Sequence, residues 1–115
     1  MSARRMSALG VAAALSGALA IGAGAFGAHA AHGQAVDWLR TGGQYQLVHA
    51  VAALVALQQG ARASGWLFVM GAGVFAGALY LMALGLPRWL GAVAPVGGVL
   101  MIAGWVWLAW RLRRG

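Results

Sequence analysis

Apolar residues fall along this chain in four long runs, separated by short joints rich in Gly, Arg or Pro. The first run covers residues 8–31, with Ser16 and His29 as its polar interruptions. The second covers 44–59, the third 66–86 and the fourth 91–110. A spanning helix needs about 20 apolar residues, and three of the runs meet that length. The second rises only about 24 Å, short of a hydrocarbon core of about 30 Å. It either thins the bilayer locally or continues back into residues 41–43. The expected fold is all-α: one membrane domain over residues 1–115, an integral four-helix bundle.

Residues 32–43 lie between the first two runs. Ala35, Val36, Trp38 and Leu39 share one helical face, with Asp37 and Arg40 on the other at i,i+3 spacing. Two readings stay open for this outer segment, a short interfacial helix or an irregular polar loop. Pro95 lies near the start of the fourth run, where its missing N–H frees the Gly91 carbonyl and predicts a kinked or loosened outer end.

Composition moves the setting out of water. Hydrophobic residues make up 63% of the 115 and charged residues 8%, against about a quarter charged in soluble domains. A soluble enzyme is excluded on that ground. Asp37 is the one acidic residue and there is no Cys, which removes carboxylate pairs, thiolate nucleophiles and thiolate metal sites. The net charge of +7 comes from eight arginines placed at the margins of the apolar runs. Nucleic-acid readers gather charge on one aromatic-interleaved face, so nucleic acid is not an expected partner.

The arginines also orient the chain. With a cytoplasmic N-terminus, Arg4, Arg5, Arg62, Arg111, Arg113 and Arg114 lie inside, and Arg40 and Arg88 outside. Both termini are therefore expected in the cytoplasm. Trp66, Trp89, Trp105, Trp107 and Trp110 fall at or near span ends, as an aromatic belt would. Arg4-Arg5 followed by an apolar run and Ala28-His29-Ala30 is similar to a secretory signal, but a run of about twenty residues exceeds the usual 7–15. The segment is expected to stay attached.

Ala (27) and Gly (19) fill 46 of the 115 positions. Between lipid tails, close backbone approach through small residues drives helix association. Gly24, Gly73, Gly77, Pro95, Gly97 and Gly98 are the expected packing positions, with Gly73 and Gly77 forming a GxxxG.

Polar groups at membrane depth are candidates for function. His29 and His32 end the first run one turn apart. Tyr45, Gln46 and His49 open the second, and Tyr80 approaches the outer end of the third. These six define an expected polar layer in the outer leaflet. It could bind a divalent metal, with His29 and His49 as ligands; it could relay protons through a His–Tyr–Gln chain; it could hold a lipid or small ligand; or it could serve only to hydrogen-bond the helices together. No Ser lies on the His-bearing side, so a Ser–His pair has no geometry.

Four motifs occur in order: Gly24-Ala25-Phe26-Gly27-Ala28-His29, Tyr45-Gln46-x-x-His49-Ala50, Phe75-x-Gly77-x-Leu79-Tyr80 and Leu90-Gly91-x-x-x-Pro95-x-Gly97-Gly98. In this the chain resembles the family called domain of unknown function 423, with its bacterial YgdD-like inner-membrane proteins and the eukaryotic transmembrane protein 256. The resemblance covers residues 17–110. It implies a small multi-span membrane protein and no established activity. Hydroxyl residues that often flank the third-run glycine and precede the fourth-run proline are here Ala76, Ala78 and Ala94. The expectation is thus a non-enzymatic protein of the bacterial inner membrane, without a cofactor. Membrane lipids, further copies of itself or an unknown protein are its expected partners, and metal or proton handling is the alternative.

Overall fold

The computed structural model describes residues 3–114, with side chains from residue 8 onward. Arg4 and Arg5, which entered the charge count, lie outside the described side chains. Four α-helices follow one another: α1 (Ala3–His29), α2 (Gln34–Gln58), α3 (Arg62–Ala83) and α4 (Ala94–Arg114). A single 3-10 turn, Arg88–Ala92, precedes α4.

Glycine ends two of the helices. Gly60 (φ 76°) and Gly85 (φ 99°) adopt the left-handed conformation that costs glycine least. At the first, Ala61 N–H donates to the Ala56 carbonyl and Gly60 N–H to that of Leu57. At the second, Leu86 and Gly85 donate to Leu81 and Met82. Both are Schellman closures, which satisfy the last carbonyls of α2 and α3. Pro87 follows the second, where it cannot prolong α3. Pro95 is the second residue of α4. The expected loosening of the outer end takes the form of the 3-10 turn ahead of α4, and in the first turn of α4 the missing N–H of Pro95 had no intrahelical partner to lose.

The joint between α1 and α2 corrects another expectation. Residues 34–43 are the first turns of α2, so the outer segment is not an element of its own. α2 is thereby 25 residues long and rises about 36 Å, more than enough to cross the hydrocarbon. By length and composition, three helical segments are apolar enough to span: Ala8–His29, Arg62–Ala83 and Arg88–Arg114. α2 is as long but carries more polar residues.

Each helix packs along its sequence neighbours: α1 on α2, α2 on α3, α3 on α4, with a lesser contact of α1 on α3. Joints of a few residues between such packed neighbours make them antiparallel. Among the described residues α1 and α4 share no extended contact, so the bundle is an open row rather than a closed ring. Its long dimension of 46 Å matches a bilayer with its headgroup regions, about 40–45 Å.

The distribution of side chains reverses that of a soluble protein. The core cluster is Ala13, Ala52, Ala53, Ala56 and Ala61 around Phe68 and Leu108. Leu15, Ile21, Met70, Val99 and Ile102 point outward, each more than half exposed. Lipid tails accept those outward residues without cost, while small interior residues allow the backbones to close up.

The glycines that permit this closeness are mostly not those expected. A Cβ on Gly97 would strike the backbone of Gly71 and Phe75, and one on Gly71 would come 2.9 Å from the Gly97 oxygen. This pair forms the α3–α4 crossing. Gly104 makes room for the Phe68 ring and Gly42 for the Tyr80 ring. Gly24, Gly73, Gly77 and Gly98 have nothing within 4 Å of a Cβ. A Cβ on Gly43 would come 3.6 Å from the Gly24 nitrogen, so the Gly24 backbone lies against α2, whereas the Cβ directions of Gly73, Gly77 and Gly98 are open.

Candidate functional site

The polar residues of α2 face α3 and α4. Gln46 and His49 are one turn apart, 3% and 6% exposed, on the side of α2 that packs. Burial of such groups is costly unless each polar atom finds a partner. Tyr80 Oη of α3 donates to Gln46 Oε1 at 2.7 Å. His49 Nδ1 lies 2.7 Å from the Tyr45 carbonyl oxygen one turn earlier. Trp105 Nε1–H of α4 donates to His49 Nε2 at 3.0 Å.

These partners define the state of the ring. A carbonyl only accepts, so Nδ1 carries the proton; an indole N–H only donates, so Nε2 offers its lone pair. His49 is therefore the neutral Nδ1–H tautomer, with both nitrogens engaged. A metal at Nε2 would have to displace Trp105. A second proton there would face the indole proton donor to donor.

An aromatic cluster surrounds the imidazole. The rings of His49 and Phe68 are 5.5 Å apart and edge-on, as are those of His49 and Trp105 at 5.8 Å. Phe68 and Trp105 are 4.6 Å apart. The Tyr45 ring packs 4.9 Å from Phe75 and stacks at 6.3 Å on His49. Edge-on and tilted contacts suit the ring quadrupoles. A cavity of about 390 Å³ borders the cluster on the α2–α4 side, with Gly98, Met101 and Ile102 in its wall.

The expected layer is thus only partly assembled. Tyr45, Gln46, His49 and Tyr80 come together. His29 is the last residue of α1 and exposed, and His32 lies in the joint, also exposed. His49 is about 22 Å along α2, so it sits deep in the bundle rather than at the outer end. The reason is the start of α2, ten residues earlier than the apolar run. His29 and His49 cannot share an ion across that rise, and no cluster of three metal-ligating side chains exists among the described residues. The Tyr80–Gln46 pair and the Trp105–His49–Tyr45 set share no direct hydrogen bond among the described residues.

Trp105 and Phe68 join the site without having been singled out for it, and Phe75 entered only as the start of the third motif. Trp105 was read as part of the belt, yet it precedes Arg111 by six residues, about 9 Å deeper than the charged end. An indole N–H at that depth requires an acceptor. That was the available signal. Phe68 carried none.

Polar ties also close both ends. Arg88 Nη2 donates to Gln34 Oε1 at 3.1 Å, and its guanidinium lies 5.8 Å from the Trp38 ring centroid. At the opposite end Arg111 Nη2 donates to the Gly60 carbonyl at 3.2 Å.

Comparison with known proteins places the chain among membrane proteins. The profile of the family described as protein of unknown function (DUF423) matches residues 23–98. A UPF0382 membrane protein of Staphylococcus epidermidis is 40% identical over 104 residues, 81% of this chain and 84% of that one. The UPF0382 membrane protein YwdK of Bacillus subtilis is 36% identical over 106 residues, 81% and 85% of the two chains. The UPF0382 inner membrane protein YgdD of Escherichia coli is 38% identical over 118 aligned positions, covering 89% and 88%. No solved structure matches.

Proposed function

Because this chain belongs to the DUF423 family of proteins of unknown function, we propose that it is a four-span inner-membrane protein that acts by packing rather than catalysis. Its buried polar groups hold the helices in register, and its outer surface receives lipid, further copies of itself or a partner protein. Both termini lie in the cytoplasm. α2 forms the fourth span, since it packs along both α1 and α3 and must share their slab of membrane.

The observation that carries this reading is the closure of His49. Its two nitrogens are taken by Tyr45 and Trp105, so the most buried titratable group is engaged in joining helices. The surface, by contrast, offers a broad apolar exterior.

Native mass spectrometry of the untagged protein, released from nanodiscs at neutral and mildly acidic pH, tests it. The expected result is lipid-bearing oligomers without metal. A lipid-free monomer with no co-purifying partner overturns the reading. A metal adduct that disappears in His49→Ala would replace it with the metal-handling alternative.

A further inference from the structure

The end of the bundle tied by Arg111 and Gly60 also gathers most of the described arginines. Arg62 opens α3, and Arg111, Arg113 and Arg114 close α4. The hydrogen bond from Arg111 to Gly60 brings these two ends together. The chain's one acidic side chain, Asp37, lies in the first turn of α2 at the opposite end. No Asp or Glu is therefore available to neutralise Arg111, Arg113 and Arg114.

Within it, Trp107, Trp110, Arg111 and Arg114 occur at i, i+3, i+4 and i+7, which places them on one stripe of α4. With Gln59 and Leu112 they line a cleft of about 680 Å³ beside the α2–α3 turn. Two features make the cleft a shaped site rather than a diffuse patch. The bond to Gly60 orients Arg111 while using one of five guanidinium donors. Arg113, whose guanidinium lies 4.9 Å from the Trp110 ring centroid, braces that indole.

From this arrangement we infer that the cleft binds the phosphate headgroup of an anionic phospholipid. The inference rests on the lipid-binding reading proposed above and gives it a place and a chemical class. Guanidinium forks match phosphate oxygens in pairs, and basic pockets between spanning helices attract anionic headgroups. Trp107 and Trp110 are each 45% exposed, and such rings belong at headgroup depth. A ligand here must present apolar surface beside its phosphate, which a phospholipid does and a free anion does not.

The test equilibrates the full chain with nanodiscs of mixed phosphatidylcholine and phosphatidylglycerol and counts each lipid retained in native mass spectra. The wild type is expected to retain phosphatidylglycerol preferentially. R111Q/R114Q should lower that retention about tenfold, as loss of charge-assisted contacts implies. R114Q keeps the Gly60 bond intact, so its expected partial loss tests the site even if the double variant misfolds. R40Q removes the same charge at the other end and should leave retention unchanged.

Equal loss in R40Q and R114Q would reduce the effect to net charge and overturn the site. A wild type retaining both lipids indifferently would overturn it too, while the broader lipid-binding reading survives. Displacement of the lipid by equimolar glycerol 3-phosphate would overturn the assignment to a phospholipid. A wild type holding no lipid of either kind, and no partner or second copy, would defeat the broader reading itself.

Discussion

His49 shows how a single side chain can join three helices. It rises from α2, lies against Phe68 of α3 and accepts the indole proton of α4. Replacing it with leucine strands the Trp105 N–H in an apolar setting, at a cost of about 1–3 kcal/mol. H49L is therefore expected to unfold at lower temperature in detergent, followed by circular dichroism. In H49L/W105F both partners are gone, so the double variant should recover part of that loss. A double variant as unstable as the sum of the two singles would show that the bond is not what matters there. Polar residues in apolar runs are conspicuous, which is why Tyr45, Gln46, His49 and Tyr80 were legible from the sequence alone. Trp105 was not, because a tryptophan near a span end looks the same whether its N–H faces headgroups or an imidazole.

Among helices the deciding residues are the smallest. The sequence announces its glycines but not which way they face, and a GxxxG reads alike on a packed or an open side. Gly97 and Gly71 touch backbone to backbone, whereas Gly73 and Gly77 look outward. G97A is expected to separate α3 from α4 and destabilise the bundle by about 1–3 kcal/mol, the usual cost of overpacking. G73A and G77A should be neutral or slightly stabilising, by up to about 1 kcal/mol, since alanine orders a helix at less entropic cost. Thermal unfolding of the three variants side by side checks the contrast. The start of α2 was hidden for a related reason. Asp37 and Arg40 interrupt the apolar run, but they are exposed and an α-helix tolerates charge on its outer face. Hydropathy ends where burial ends, and the helix continues.

For the whole molecule, the arginines form two unequal groups. Arg62, Arg111, Arg113 and Arg114 share one end and Arg40 and Arg88 the other, an asymmetry already readable as charge along the chain. On the orientation proposed above, the joint at His32 faces outward and the turn at Gln59 faces the cytoplasm. The absence of cysteine makes this simple to check. In spheroplasts an impermeant thiol reagent should label His32→Cys directly and Gln59→Cys only after permeabilisation; the opposite pattern would invert the topology. The open row of helices has a kinetic consequence as well. Because each helix packs mainly on the one before it, native contacts stay local, the arrangement that assembles fastest. A chain emerging N-terminus first can dock every new helix on one already in place, with none waiting for a distant partner. The bonds from Trp105 to His49, Arg88 to Gln34 and Arg111 to Gly60, 56, 54 and 51 residues apart, are exceptions. The first and the third can close only after α4 has entered, late in assembly.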